Sequence, residues 1–384
     1  MLNNMKNDAA SNPFLFGALA LDESFTDRRE EIAELASDMR NGQDVVVFAP
    51  RRFGKSSLVW AAASQLAKDG VLVAQVDLMT TPTKERFAAA LAASIYENIA
   101  SPVERVWEKA TAPFRRLRLQ PSMSLEPETG AVAFNFAGAR EPADVDATIE
   151  QLLELPAAIG AERGRRTALV LDEFQEVVDI DPHLPKLMRA IFQKQPEVAH
   201  VYLGSKRHVM EKIFNDENEP LWRSAKPIEL TRIPAAEFSG FIAARFEATG
   251  RTCEPEAVDR LLALTAGHPH ATQELCYFLW EQTPAGETVT SARLDAALSA
   301  LLRAEDARFT LLWESLSTVQ RLLLQALARE PGHPYAQAYR DRHELPSAAS
   351  VQTGLRALEQ REIVTGERGA YRIVEPFVAE WTRR

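Results

Sequence analysis

Cysteine is nearly absent from this chain of 384 residues, which carries only Cys253 and Cys276. The two lack the paired spacing of a metal knot. They cannot build a disulfide framework and suit a reducing compartment. Long apolar runs are also missing, and nothing approaches the roughly 20 apolar residues that a membrane-spanning helix needs. Met1 to Pro13 is polar and has no apolar core of a secretory signal. The expected location is cytoplasmic, with no membrane partner. An excess of positive charge is lacking too: 44 Lys and Arg stand against 54 Asp and Glu, a net charge of -10. That balance argues against broad, non-specific attachment to nucleic acid or anionic lipid. A hydrophobic fraction of 46% with 26% charged residues is that of a folded globular protein. The length favours two or three domains.

Two short stretches carry most of the chemistry. Val45-Val46-Val47-Phe48 is apolar and β-branched, as a buried parallel strand requires, and it runs into Ala49-Pro50-Arg51-Arg52-Phe53-Gly54-Lys55-Ser56-Ser57. A loop of this kind opening a helix points its backbone amides at an anion. Lys55 can neutralise the β- and γ-phosphates of a nucleotide, and Ser56 can hold Mg²⁺. The second stretch, Ala168-Leu169-Val170-Leu171-Asp172-Glu173, is another buried strand ending in two adjacent carboxylates. Asp172 can reach the same metal. The pair predicts an ATP site. One position departs from the usual pattern: Ala49 stands where Gly is favoured, and alanine is tolerable there only at negative φ.

Around these stretches strands alternate with helices. Strands are expected at 45–48, 71–78, 168–171, 200–204 and 227–230, and helices at 55–68 and 83–100, which predicts a parallel sheet with helices on both faces. A helix opening near Phe25 to Ile32, with Thr26 or Asp27 as cap, precedes the first strand. The Glu128-Thr129-Gly130 turn between alternating residues predicts a hairpin inserted near 115–136. After about Ile233 the strands stop, and 235–248, 254–265 and 270–282 read as helices of a small lid. From about Phe309, three helices followed by the Gly366-Glu367-Arg368-Gly369 turn form a winged-helix arrangement. The expected domains are a polar flexible tail at 1–20, a sheet domain at 21–232, a helical lid at 233–308 and a winged helix at 309–384.

With these features in order, the chain resembles the archaeal-type ATPase family of the AAA+/STAND P-loop NTPases, in particular prokaryotic ATP-binding proteins with a C-terminal winged helix. The resemblance rests on Asn12-Pro13-Phe14, Phe25 to Ile32, the loop Ala49 to Leu58, Leu171 to Glu176, Leu203-Gly204-Ser205-Lys206-Arg207-His208, Gly267-His268-Pro269 and Glu375-Pro376-Phe377. Glu375 stands where the family generally has Asp. The resemblance implies an α/β fold with an AAA+-like parallel-sheet domain, a helical lid and a winged helix. It implies that Phe25 and Arg28 lie against adenine and ribose, though Asp27 replaces the usual Gly there. Pro50, Arg51, Arg52, Phe53, Gly54, Lys55, Ser56 and Ser57 would cradle the phosphates, and Ser56 and Asp172 would hold the metal. Glu173 would polarise the attacking water, a sensible role for a carboxylate at a strand's C-terminal end. Ser205, or alternatively Lys206 or Arg207, takes the place of a polar sensor of the γ-phosphate. Arg223 falls where an arginine finger is found, and Pro269 belongs to a lid turn that senses nucleotide.

Three functions remain open at this level. The first is a Mg²⁺-dependent ATPase of slow turnover that acts as a nucleotide-driven switch, binding ATP and ADP. Nucleotide-dependent homo-oligomerisation and an unidentified protein partner accompany it. The second is a DNA-binding protein tuned by ATP, with Ser347–Gln360 as recognition helix and Gln352 and Arg356 as readers. DNA is not the favoured partner, because residues 310–384 hold 10 Arg and no Lys against 9 Asp and Glu, a thin basic footprint for a groove binder. The third is a non-hydrolysing, nucleotide-locked scaffold.

Overall fold

A computed structural model describes residues 11–17, 28–100, 112–125, 132–136 and 142–384. The chain divides into two compact units. One comprises Arg28–Pro50 and Lys55–Leu230, and the other Met1–Asp27, Arg51–Gly54 and Thr231–Arg384.

The first unit is built on a five-stranded parallel sheet. Its strands are β1 (Val45–Phe48), β2 (Leu72–Asp77), β5 (Thr167–Asp172), β6 (Val198–Gly204) and β7 (Lys226–Glu229), and β3 (Ser122–Leu125) and β4 (Val132–Asn135) form a separate antiparallel hairpin. The spatial order is β2-β5-β6-β1-β7. Strands β1, β5 and β6 are buried along their whole length, which is why they are largely apolar with no regular polar alternation, His200 on β6 being buried as well. The register sets Asp77 beside Asp172 and Phe48 beside Gly204, so the chain leaves all these strands at one edge of the sheet. Phe174, wholly buried just beyond β5, packs its ring 4.7 Å from Tyr202 and 5.8 Å from Phe214. Those contacts fix the turn that follows the two carboxylates.

The helix before β1 spans Arg29–Arg40 and buries Ile32, Leu35, Ala36 and Met39. Its N-cap is Arg28, in the left-handed region, and not Thr26 or Asp27, which lie outside the described residues. The helix ends at Gly42, whose φ of +74° and approach to the Pro196 carbonyl leave no room for a Cβ. The hairpin β3–β4 lies where the insertion was expected; its turn is outside the described residues. Phe134 on β4 packs against Phe114 and Tyr96.

In the second unit, helices Ala235–Glu247, Pro255–Thr265, Pro269–Glu281 and Ser291–Ala304 share a core with a winged helix. The strands do not end at Ile233: Thr252–Cys253 pairs in parallel with Thr288–Val289, a two-residue ladder too short to leave a pattern in sequence. The winged helix consists of Thr318–Arg329, Gln337–Arg342, Ala348–Gln360 and the antiparallel pair Val364–Glu367 with Ala370–Ile373. Ser317 and Gln320 close a reciprocal capping box at its first helix. Within the segment expected as a flexible tail, Phe14 is fully buried with its ring 4.9 Å from Phe246, and Asn12 donates to the Tyr277 carbonyl at 3.1 Å. An aromatic side chain gains enough by burial to order the short segment that carries it.

Glu274, on helix Pro269–Glu281, is a carboxylic acid buried to 2% exposure. Burial pushes its carboxyl up to about 7; Glu305 and Glu375 push the same way, while Arg308 and Arg52 oppose. His270 lies 3.6 Å away, but burial first, then Arg52, pulls its own value down to about 4. Because the folded chain holds the Glu274 proton in a range where the unfolded chain has released it, stability falls as pH rises from 4.5 towards 7. The loss is on the order of 3 kcal/mol. Glu274→Gln is expected to raise the melting temperature at neutral pH and flatten its dependence on pH across that window, as followed by thermal unfolding.

Candidate functional site

The site begins at the C-terminal edge of the sheet, where an open parallel α/β fold presents its ligand crevice. Strand β1 delivers the chain to Ala49, whose amide still bonds the Gly204 carbonyl. Ala49 is not among the described residues at positive φ, so a Cβ is accommodated there and the departure from Gly does not strain the turn. The conformational burden falls on Arg52 (φ 65°) and Gly54 (φ 84°) instead. Helix Lys55–Lys68 then starts with Lys55 buried and its ammonium donating to the Ala49 and Pro50 carbonyls at 3.0 and 3.3 Å. Lys55 thus curls back over the loop that precedes it. Ser57 is buried beneath the helix start.

Ser56 faces β5. Its Oγ donates to Asp172 Oδ2 at 2.9 Å, and Gln75 on β2 approaches the same oxygen at 3.4 Å. Burial raises the Asp172 carboxyl above its ordinary range; the Ser56 hydroxyl and the Glu173 amide oppose this, Glu173 adds to it, and Lys55 opposes it. A buried carboxylate beside a hydroxyl is a pair of hard oxygen donors. Mg²⁺ takes such ligands, typically one or two carboxylates together with substrate phosphates. The donor set therefore fits the metal expected for this position.

Glu173 adopts the left-handed region (φ 50°, ψ 46°) with no side-chain cap. A non-glycine residue held there is uncommon, and such conformations concentrate at functional sites. Ser205, buried at the end of β6, donates to Glu173 Oε2 at 3.0 Å. Gln175 donates to that same oxygen. Lys206 is engaged elsewhere, with Glu176 at 2.8 Å, and Arg207 bonds Glu211 and Glu229. Of the three candidates for the polar sensor, Ser205 alone meets Glu173. Gln75 and Gln175 were not singled out by sequence, although Gln175 follows the carboxylates within Asp172-Glu173-Phe174-Gln175.

The remaining expected site residues make the following contacts. Arg28 is buried and pairs with Glu31 at 3.1 Å; Phe25 lies outside the described residues. Arg223 is exposed on the turn before β7, with φ 50° and its guanidinium 5.1 Å from the Trp222 ring centre. Among the described residues its side chain makes no hydrogen bond or ion pair to Lys55, Ser56, Asp172 or Glu173. The loop tip Arg51–Gly54 groups with the second unit. There Phe53 sets its ring 4.8 Å from His268, Arg51 pairs with Glu362 at 2.7 Å, and Arg52 stands 3.6 Å from Glu375. His268 caps helix Pro269–Glu281, accepting from the Ala271 amide at 3.3 Å through Nδ1. Burial, with Arg232 next, pulls its value down to about 3, so it stays neutral and able to accept. Pro269 opens the helix at a position that needs no amide hydrogen.

A phosphate loop, a strand-end Asp-Glu pair, a parallel sheet and a winged helix define a P-loop ATPase fold with an appended winged-helix domain. Residues 25–275 match the family described as an ATPase domain predominantly from Archaea, and the chain belongs to it. Residues 307–384 match a probable winged helix domain. Among solved structures, a Walker-type ATPase of Pyrococcus abyssi superposes with a TM-score of 0.69 at 17% identity, covering 97% of this chain and all of that one. The ORC2 protein of Aeropyrum pernix, solved in ADPNP-ADP complexes, superposes with a TM-score of 0.58 at 15% identity, covering 94% of this chain and 95% of the other. Likeness at such identity speaks for the fold. No curated protein matches. No helix among the described residues is long and apolar enough to cross a membrane.

Proposed function

We propose that this chain binds ATP with Mg²⁺ and hydrolyses it slowly, acting as a nucleotide-driven switch of the AAA+/STAND kind. The observation that carries the reading is the Ser56–Asp172 contact with Glu173 beside it. The hydroxyl and carboxylate for a metal, and a second carboxylate for a water, come together from segments 116 residues apart. Phosphoryl transfer asks a protein for positioning and charge neutralisation and little covalent chemistry. Bound Mg²⁺ would neutralise charge on the β- and γ-phosphate oxygens.

The chain's own residues do the rest. Lys55 lies at the helix start, over the loop, where it can turn from the Ala49 and Pro50 carbonyls to phosphate oxygens. Asp172 and Ser56 hold their oxygens towards the metal position. Glu173 accepts a proton from the attacking water as the new oxygen–phosphorus bond forms and the bond between the γ-phosphorus and the β–γ bridging oxygen breaks, releasing ADP and phosphate. In this reading Arg51, Arg52, Phe53, Gly54 and Ser57 surround the phosphates, Arg28 and Phe25 the nucleoside, and Pro269 the lid turn. The exposure of Arg223 suits a residue that completes a neighbouring subunit's site in a nucleotide-dependent homo-oligomer.

The test is steady-state ATP hydrolysis by the purified protein across a range of protein concentrations, with and without duplex DNA. Specific activity that rises with protein concentration is the expected result and supports a contact in trans. Stimulation by DNA would make the winged helix a DNA reader. Lys55-dependent nucleotide binding without any turnover would reduce ATP to a structural ligand and overturn the enzyme reading.

A further inference from the structure

Gln175 is a polar residue that the chemistry described so far does not use. It sits in the short 3-10 turn Phe174–Glu176, two residues beyond Glu173, and is 2% exposed. The burial of Phe174 against Tyr202 and Phe214 holds that turn in place. The Gln175 amide nitrogen donates to Glu173 Oε2, the oxygen that Ser205 Oγ also reaches at 3.0 Å. Among the described residues no donor reaches Glu173 Oε1. One carboxylate oxygen is therefore tied down twice, and the other is left to accept.

Packing does not account for this residue. The Gln175 carbonyl oxygen is buried with no hydrogen-bond partner among the described residues. A buried acceptor left unsatisfied costs free energy that Leu or Met at the same place would avoid. Local sequence rules broken at a cost in stability concentrate where function demands them. The close contact that the side chain gains for that cost is the one to Glu173, since its second contact among the described residues, with Glu176 Oε1, is long at 3.5 Å.

We infer that Gln175 is a positioning residue for ATP hydrolysis, which together with Ser205 clamps Glu173 Oε2 and leaves Oε1 to take the proton of the attacking water. The inference rests on the reading of Glu173 as the group that activates water. A carboxylate on a left-handed strand-end residue has several rotamers open to it, and a misplaced base loses rate steeply. Two donors from different elements, the turn after β5 and the end of β6, restrict it to one.

The experiment is Gln175→Met, which keeps the volume and removes the donor, with Gln175→Asn as a shorter amide that cannot reach. ATP affinity, thermal melting and single-turnover hydrolysis are measured for each, alone and combined with Glu173→Gln. The expected result is a fall of about tenfold in the hydrolysis rate, the scale of one hydrogen bond to a charged group. ATP affinity stays within about twofold for both; melting is unchanged or higher for Gln175→Met, which leaves no buried acceptor unpaired at this position, and lower for Gln175→Asn, which keeps an amide without a partner. In the Glu173→Gln background neither substitution lowers the rate further, because the group it positions is gone.

An unchanged rate in both variants would overturn the inference while leaving the ATPase reading intact. So would an equal fall in both backgrounds, which would mean that Gln175 acts independently of Glu173. Wild-type protein no more active than Lys55→Ala would strike down the ATPase reading itself, and this inference with it.

Discussion

Glu173→Gln is expected to lower the rate of ATP hydrolysis by about two to four orders of magnitude, the range that a positioned general base contributes. ATP binding should change little. The substitution is nearly isosteric, and the backbone at 173 keeps its amide bond to Asp172 Oδ1 at 2.9 Å. The hydroxyl of Ser205 and the amide of Gln175 still find an oxygen to donate to, so the turn should hold. What disappears is the capacity to take a proton from water. Pre-steady-state hydrolysis and a fluorescent-nucleotide titration on the same preparation separate the two effects: the rate falls while Kd does not. A loss of binding equal to the loss of rate would instead make Glu173 a structural support of the nucleotide site, and the base would have to be sought elsewhere.

Lys55→Ala is expected to act at the earlier step, weakening ATP affinity by about tenfold to a hundredfold or more, as the loss of one or more hydrogen bonds to a charged group does. The ammonium is buried at a helix start and held against the Ala49 and Pro50 carbonyls. It is therefore positioned before the ligand arrives, and little ordering cost remains to be met on binding. Isothermal titration of ATP in the presence of Mg²⁺ checks the loss. Equal affinities for wild type and variant would remove Lys55 from the phosphate site.

Much of the sheet that carries the candidate site was legible because burial on both faces writes itself into composition. Val45–Phe48 and Ala168–Leu171 are wholly apolar, and a strand open to solvent on one face would alternate. The winged helix was legible for a different reason: its helices are amphipathic and its wing turns at Gly366 to Gly369, where the φ of +82° at Gly369 favours glycine. Short or distant features were not legible. The pairing of Thr252–Cys253 with Thr288–Val289 involves too few residues for any period to emerge. The docking of Phe14 against Phe246 depends on partners more than two hundred positions away, and a single aromatic in a polar stretch looks like a tail.

By itself the sequence determined which residue types stand where phosphate and metal are proposed to bind, and in which order: Lys55 and Ser56 at a helix start, Asp172 and Glu173 at a strand end. Local chemistry is enough for that, because a loop between strand and helix exposes amides wherever it occurs. Only the tertiary structure decided that Ser56 would meet Asp172, that Ser205 and Gln175 would share one oxygen of Glu173, and that Lys206 and Arg207 would be drawn off by Glu176, Glu211 and Glu229. Those pairings follow from the order β2-β5-β6-β1-β7, which brings the ends of three strands to one edge of the sheet. Strand order is fixed by the packing of the whole unit, and no single stretch of sequence encodes it.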